Sequence, residues 1–240
     1  VSATRLDCVL GSTALMRQAV SQATHHAAHR RAFGSRLADK PLMQNVLADL
    51  AIEVEAATLV AFRLARAFDR RDHDAHEAGI ARLMTPLAKY WSCKRLPAVA
   101  VESMECLGGA GYVEESPVAR FYREAPLNGI WEGSGNVICL DVLRTMQKES
   151  DAVRAVFAEI DRAAANDDRL ARHAQATRAL LTDTTNIEAG ARRIVERLAL
   201  ELAAAQMVAH APASQSDAFI ASRLAGDSGY QFGTLPASID

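Results

Sequence analysis

Apolar positions recur with a helical period along most of the chain. Between residues 6 and 27 they fall on one stripe, which predicts a first long helix ended by a cationic, glycine-containing turn at residues 30–34. Between residues 47 and 68 the spacing alternates between three and four, and Pro41 is placed as an early residue of this second helix. Both stripes are typical of helices that pack side by side in a bundle.

A third helix is predicted over residues 75–107. The glycines at 108–111 close it, and Pro86 and Pro97 predict kinks because proline cannot donate to the helical ladder. This helix is alanine-rich.

A short helix is predicted to begin at Ser116 and Pro117 and to run to residue 123, followed by an irregular stretch at 125–135. Residues 136–148 then predict a fourth long helix. Its partly inward side chains are expected to be Val137, Leu140, Val142 and Met146.

Beyond residue 149 alanine becomes more frequent and aromatic residues nearly vanish. Further helices are predicted at residues 151–164, 168–182, 186–209 and 216–225, before a loosely ordered tail at 226–240. The whole pattern predicts an all-α protein, with a four-helix bundle over residues 1–148 and a helical extension over residues 149–240.

Composition narrows the class of protein. The 240 residues are half apolar with a formal net charge of −2, which indicates a globular domain without a global attraction to nucleic acid. No apolar run approaches the roughly 20 residues of a membrane span, so no span is predicted. With no initiator methionine and no signal peptide, we expect the C-terminal part of a longer protein.

The cysteines and histidines do not predict a metal site. Cys8, Cys93, Cys106 and Cys139 are scattered without zinc spacing, so we expect buried free thiols in a reducing cytoplasm. The three histidines of the first helix have no third ligand near them in the sequence, and they are interpreted as a polar face: His25, His26 and His29.

Three short motifs carry candidate chemistry. In the first, Trp131, Glu132 and Gly133 precede a helix start: an aromatic neighbour can exclude water from a carboxylate and strengthen it as a base, and amides at a helix start favour an oxygen ligand. The alternative is that Glu132 and Ser134 only cap the fourth helix.

The other two motifs are shorter. Gly108 and Gly109 at a helix end allow close backbone contact with a phosphate or a ring, or they simply stop the helix. Arg30 and Phe33 combine a phosphate-binding cation with an aromatic ring, or they form only a cationic helix terminus.

In this order the three motifs resemble the C-terminal helical domain of the acyl-CoA dehydrogenase superfamily. That family carries an R-x-x-F-G turn, a Q-x-x-G-G-x-G helix end and an I-Y-E-G loop, and the resemblance covers roughly residues 1–148. This sequence differs at three family positions, with Pro41 and Glu105 where the family has glutamine and Trp131 where it has tyrosine.

The resemblance implies a role for each motif. Glu132 would be the base that removes the α-proton of an acyl-CoA while FAD accepts the β-hydride, and its backbone amide would help to hold the thioester carbonyl. Arg5, Trp131 and Gly133 would lie at the substrate. Thr4 stands where isovaleryl-type members carry their base, so Glu132 is the better candidate.

The resemblance also implies that FAD is the cofactor and that the chain assembles. Ser134 would lie near the flavin, Arg30 and Phe33 would reach the FAD of a neighbouring subunit, and Gly108 and Gly109 would contact the adenine side of that FAD. We therefore expect a dimer or tetramer formed through the second to fourth helices. Because the other domains of the family are absent from this sequence, the fragment alone should be a poor catalyst.

Two alternatives remain open. One is a DNA-associated protective flavoprotein of the alkylation-damage response, with Arg192, Arg193 and Arg197 as the duplex contacts. Charge weighs against it, because residues 148–240 carry 10 Lys and Arg against 13 Asp and Glu, and interleaved glutamates favour an ion-paired surface. The other is a bundle that serves only to form oligomers.

Overall fold

The computed structural model describes residues 1–182, 185 and 187–236. Within this part the chain forms ten α-helices and one short antiparallel hairpin, in which β1 (Arg31–Ala32) pairs with β2 (Ser35–Arg36). The helices are α1 Ser2–His29, α2 Pro41–Arg70, α3 Ala75–Cys106, α4 Gly109–Tyr112, α5 Pro117–Glu124, α6 Gly135–Lys148, α7 Ser150–Ala164, α8 Asp168–Thr182, α9 Ala191–His210 and α10 Ala213–Arg223. Short 3-10 turns lie at Leu37–Asp39 and Leu127–Gly129. The all-α prediction is confirmed.

Local sequence explains several helix starts. The carboxylate of Asp74 caps α3 by accepting from the amide of His76 at 2.8 Å. The hydroxyl of Ser116 caps α5 by accepting from the amide of Val118, and Pro117 occupies the first helical position, where its missing N–H costs nothing. These starts lie where the sequence predicted them.

The central helix of the molecule is α3. It packs against α1, α2, α6, α7 and α9, and side chains on most of its circumference are buried. The helix continues through Pro86 and Pro97. These neighbours leave part of its C-terminal half exposed, at Lys94, Ala98 and Glu105, and the expectation that this helix offers a face to another subunit stays a prediction.

The extension shares its core with the bundle. One continuous hydrophobic cluster joins residues of α2, α3 and α6 to residues of α7, α8, α9 and α10, and a smaller cluster joins α1, α2 and α3. The close approach of α7 to α3 depends on Gly79, since a Cβ there would lie 3.0 Å from the Cβ of Ala155 and 3.1 Å from the carbonyl oxygen of Asp151.

Three predictions beyond residue 149 need correction, the first being the last helix, α10, which spans Ala213–Arg223 instead of 216–225. Helix α9 starts at Ala191, and residues 187–190 form turns instead of helix; residue 186 lies outside the described part. The tail is not loose up to residue 236, because Asn45 of α2 hydrogen-bonds both the carbonyl oxygen (2.9 Å) and the amide (3.1 Å) of Leu235. The expectation for residues 237–240 also lies outside the described part.

The inward face of α6 differs from the predicted one. Val137 and Leu140 are exposed, whereas Ile138, Cys139 and Leu143 are buried. Val142 is buried and Met146 is partly buried against the core, both as expected. The tertiary position of α6, which packs on α3 and α9, selects a face one residue away from the one that periodicity favoured.

The cysteine prediction is confirmed in part: all four cysteines are buried and free. Burial raises their thiol pKa, most clearly at Cys106, where the nearby carboxylates of Glu102 and Glu105 add to the effect and the pKa is about 12. Among the described helices none is long and apolar enough to cross a membrane.

Candidate functional site

The segment at residues 130–134, called the Glu132 loop below, connects the 3-10 turn Leu127–Gly129 to α6. Ser134 is the residue before α6, and its hydroxyl makes no cap hydrogen bond. Within the described residues the carboxylate of Glu132 has no hydrogen bond or ion pair either. Neither side chain caps the helix, so the simple capping alternative is not supported.

The backbone of the loop is left-handed at two successive residues. Glu132 has φ 60° and Gly133 has φ 109°. Glycine tolerates this region, but for a residue with a Cβ it costs roughly 1–2 kcal/mol. A Cβ at Gly133 would also meet the Cδ1 atom of Ile138 at 3.1 Å. The loop therefore holds Glu132 in a conformation that other contacts must stabilise.

Those contacts come from two cations on neighbouring helices. Lys89 of α3, only 1% exposed, donates to the carbonyl oxygens of Trp131 (2.9 Å) and Gly133 (2.6 Å). Arg5 of α1 donates from Nε to the carbonyl oxygen of Glu132 at 3.0 Å. Three consecutive carbonyls thus accept from side chains beneath the loop.

Arg5 is itself fixed by a carboxylate. Its Nη1 atom lies 2.5 Å from Asp141 of α6, which also accepts from Arg82 of α3 at 3.3 Å. Burial raises the pKa of Asp141, but the hydrogen bond from Arg5 and the charges of both arginines outweigh it, and the net pKa is lowered. The expected contact of Arg5 with substrate stays a prediction; the structure places its guanidinium on the loop and on Asp141.

A buried polar network supports the loop from below. The indole N–H of Trp131 donates to Asn128 at 3.0 Å, the amide of Asn128 donates to Ser12 at 3.1 Å, and Ser12 contacts the thiol of Cys93 at 3.4 Å. The Trp131 side chain is nevertheless 52% exposed. Within this chain Trp131 is therefore not a closed wall against solvent, contrary to the expectation.

Sequence reasoning missed Lys89, Asn128 and Asp141. The signal for Lys89 was present: a lone lysine lies in the apolar run of α3. Buried lysines are rare unless they are hydrogen-bonded, so such a position indicates a specific partner. Asn128 and Asp141 carry no comparable local signal.

The Arg30 motif forms a tight hairpin turn. Phe33 (φ 52°) and Gly34 (φ 88°) are its two central residues, and positive φ at both is the pattern of a type I′ turn. This turn directs Phe33 outward, 92% exposed, while Lys40 donates to its carbonyl oxygen at 3.0 Å. Arg30 is exposed beside it.

The glycine motif lies after the end of α3. Gly108 has φ 60°, and a Cβ at Gly108 or Gly109 would meet no atom within 4 Å, so this backbone faces open space. Gly111 is required by the fold instead, because a Cβ there would lie 2.4 Å from the carbonyl oxygen of Met104. Gly108 follows Lys89 by 19 residues, about 28 Å along α3.

The two cofactor motifs lie at the same end of the bundle. Ala23 near the end of α1 belongs to the same core cluster as Ala100 and Cys106 at the end of α3. The Arg30 turn and the glycine motif follow these two helix ends, and the Glu132 loop lies well away from both. The structure does not bring the three motifs together within one chain.

The basic cluster of α9 is not a set of three free cations. Arg197 donates from Nε to the hydroxyl of Thr177 and from Nη2 to the carbonyl oxygen of His173, each at 2.8 Å, so it joins α9 to α8. Arg192 donates to Asn136 at 2.8 Å. Arg192 and Arg193 are exposed whereas Arg197 is half-buried, and a duplex contact at these three residues stays a prediction.

The histidines of α1 bond locally. His29 lies 2.8 Å from the carbonyl oxygen of His25, and their rings are 4.4 Å apart. His26 has a pKa lowered by burial and by the charge of Arg30. No group of three or more metal-ligating side chains occurs among the described residues.

Comparison with known proteins identifies the class to which this fold and loop belong. The family model for the acyl-CoA dehydrogenase C-terminal domain matches residues 1–147, so the chain belongs to the acyl-CoA dehydrogenase family. In particular, it is similar to the putative acyl-CoA dehydrogenase AidB of Escherichia coli (strain K12), with 52% identity over 160 residues, which cover 65% of this chain and 29% of that protein.

Other relatives extend the likeness beyond the matched domain. Acyl-CoA dehydrogenase family member 11 of Caenorhabditis elegans is 28% identical over 246 residues, covering 92% of this chain and 40% of that protein. The crystal structure of Caenorhabditis elegans ACDH-11 in complex with C11-CoA superposes with a TM-score of 0.81 at 25% identity, over 92% of this chain and 42% of the other. The extension therefore has a counterpart in that fold.

A further solved structure shares the fold alone. An acyl-CoA dehydrogenase from Bacillus anthracis complexed with FAD matches with a TM-score of 0.75 at 19% identity, over 93% of this chain and 47% of the other. The chain spans 29% and 40% of the lengths of the two curated relatives named above.

Proposed function

We propose that this chain is the C-terminal part of an FAD-dependent acyl-CoA dehydrogenase in which Glu132 removes the α-proton of an acyl-CoA thioester. The observation that carries the proposal is the Glu132 loop itself: a carboxylate without an internal partner, held on a left-handed backbone by Lys89 and Arg5. Strained, over-determined backbone of this kind is typical of functional sites. Family membership and the C11-CoA complex of ACDH-11 support an acyl-CoA substrate.

The loop supplies two chemical groups. The carboxylate of Glu132 accepts the α-proton as the C–H electron pair becomes the Cα–Cβ double bond, and it must be ionised to do so. The backbone amides of Glu132 and Gly133 have no acceptor within the described residues, so they can donate to the thioester carbonyl and stabilise charge that develops on it.

The residues at the far end of the bundle fit a bound nucleotide. Phe33 is exposed, Arg30 is an unpaired exposed cation among the described residues, and the backbone at Gly108 and Gly109 is open to close approach. When bound, FAD supplies the acceptor for the β-hydride. Because these residues lie far from the Glu132 loop, we propose that they hold the FAD of a neighbouring subunit, with Ser134 near the chain's own flavin.

The experiment is Glu132→Gln in the full-length protein. The amide keeps the shape but is not a base, so FAD binding and acyl-CoA affinity should persist while the rate of flavin reduction falls at least about 10²-fold. Stopped-flow absorbance of the flavin after mixing with acyl-CoA measures this rate. Glu124→Gln, which neutralises an exposed carboxylate of α5, is the matched control and should reduce flavin normally. Unchanged reduction in Glu132→Gln would contradict the proposal.

A further inference from the structure

The peptide planes of the Glu132 loop are oriented from inside the bundle. All described peptide bonds are trans, and in a trans peptide the C=O of one residue points away from the N–H of the next. The carbonyls of Trp131 and Gly133 point at the buried ammonium of Lys89, and the carbonyl of Glu132 points at Arg5. The amides that follow these carbonyls are therefore directed away from the bundle.

The hydrogen-bond pattern agrees with this geometry. Within the described residues the amides of Glu132, Gly133 and Ser134 have no acceptor, although each adjoining carbonyl is bonded to a side chain. A row of outward donors beside a carboxylate is the arrangement that a thioester carbonyl requires. Trp131 differs, since its own amide bonds back to Leu127 at 3.2 Å.

Lys89 is the principal cause of this orientation. Its ammonium bonds the carbonyls of Trp131 and Gly133, so a single group fixes the 131–132 peptide plane, which carries the amide of Glu132, and the 133–134 plane, which carries the amide of Ser134. No acidic side chain is bonded to Lys89 among the described residues, and burial lowers its pKa. Burying the Lys89 ammonium costs desolvation free energy. Among the described residues its only hydrogen-bond partners are the two loop carbonyls, so these bonds must offset that cost.

We propose that Lys89 is the positioning residue of this site: its ammonium turns the carbonyls of Trp131 and Gly133 inward and thereby presents the amide of Glu132 to the substrate carbonyl. The catalytic consequence rests on the proposed function, but the orientation of the loop does not. Lys89 itself touches no substrate. Arg5 orients the peptide plane between Glu132 and Gly133, which lies between the two planes that Lys89 fixes.

The first test needs neither FAD nor substrate. In a Trp91→Phe background Trp131 is the only tryptophan, so its fluorescence anisotropy reports loop mobility. Lys89→Met, which keeps the chain length and removes the donors, should lower this anisotropy. Lys94→Met on the exposed side of the same helix should leave it unchanged. Equal anisotropy in Lys89→Met and the parent would overturn the proposal.

A second measurement uses the unaltered chain, in case Lys89→Met does not fold. Nitrogen-15 NMR of the lysine ammonium groups should show a Lys89 signal with slow proton exchange and couplings to the carbonyl carbons of Trp131 and Gly133. A Lys89 ammonium that exchanges as fast as that of Lys94 would contradict the assignment.

The third test is made in the full-length protein with a carbonyl-labelled acyl-CoA. Lys89→Met should raise the infrared frequency of the bound thioester carbonyl towards its value in water and slow flavin reduction about tenfold or more, with little change in acyl-CoA affinity. An unchanged carbonyl frequency would overturn the role of Lys89. Normal reduction in Glu132→Gln would instead contradict the proposed function, while the anisotropy and ammonium measurements would still decide the orientation of the loop.

Discussion

At the scale of single residues, the Glu132 loop adopts an unfavourable backbone conformation that fixes the position of its carboxylate. Glu132 and Phe33 are the two described residues other than glycine with positive φ, and each lies in one of the motifs singled out from the sequence. In both cases a residue with a large side chain occupies backbone that favours glycine. The Glu132 conformation survives because Lys89 and Arg5 bond the carbonyls around it.

Replacing Glu132 by glycine should therefore stabilise the chain. Glycine adopts φ 60° without a steric penalty, and after allowing for its greater freedom in the unfolded state we expect a gain of about 0.5–1 kcal/mol. Urea unfolding followed by circular dichroism measures it. Glu115→Gly, at an exposed position outside the left-handed region, is the control and should lose a few tenths of a kcal/mol. A clear loss of stability in Glu132→Gly would show that the carboxylate has a structural role.

At the scale of elements, buried charge joins the first part of the chain to its end. Glu53 of α2 accepts from Arg95 of α3 at 3.0 Å and from Arg223 of α10 at 3.2 Å, and Arg223 also pairs with Asp49. Burial raises the pKa of Glu53, but the two arginines outweigh it and the net pKa lies below the usual 4.5. The tail adds a bond from the amide of Gly233 to Asp49 at 2.9 Å.

Stability should depend on the ionisation of Glu53. Since its pKa is lower in the folded state, its contribution is present above about pH 4.5 and is lost as the pH falls below that value. Glu53→Gln should cost about 3 kcal/mol at pH 7, because the buried Glu53 carboxylate is the partner of the partly buried guanidinium groups of Arg95 and Arg223. The difference in free energy of unfolding between Glu53→Gln and the parent chain should become smaller as the pH falls below 4.5.

Urea titrations at intervals between pH 7 and pH 3 measure this difference. Glu55→Gln, on the same helix but without a described partner, provides the control and should show no comparable trend. A difference in free energy of unfolding that stays constant over the acid range would mean that Glu53 is not ionised in the folded protein.

At the scale of the whole molecule, the surface retains apolar side chains that the chain itself does not cover. On α2, Leu42 and Phe62 are 84% and 68% exposed, and beside the Glu132 loop Val137 and Leu140 are exposed as well. Because most of α3 is covered by its neighbours in the chain, α2 offers a larger exposed apolar surface to an assembly through the bundle. We propose that the exposed face of α2 takes part in such an assembly.

The chain should accordingly form a dimer or tetramer that depends on Phe62. Phe62→Ser removes about 2 kcal/mol of apolar burial per subunit contact, enough to weaken association by roughly 30-fold. Light scattering coupled to size exclusion, over a range of concentrations, measures the mass. Tyr122→Ser, an exposed aromatic of α5, is the control. A parent chain that stays monomeric at high concentration would exclude self-association of this fragment.

The sequence was enough to locate much of the candidate site, but not to predict the side-chain contacts that form it. The order of the Arg30, Gly108 and Glu132 motifs indicated the family and placed Glu132 in a loop before α6. It did not show that Lys89 holds that loop or that Arg5 faces Asp141. Those pairs are separated by more than 40 residues along the chain, so no local pattern records them.

The sequence by itself determined the helical class, the approximate bounds of α1, α2, α3 and α6, and the glycine-rich turns. These features depend on apolar period, capping residues and backbone freedom, all of which act within a few residues. Tertiary structure alone decided which face of α6 is buried, why the tail lies on α2 and why Arg197 is not a free cation. It also decided the left-handed conformation of Glu132, because that backbone is unfavourable locally and is stabilised by side chains from α1 and α3, helices distant in the sequence.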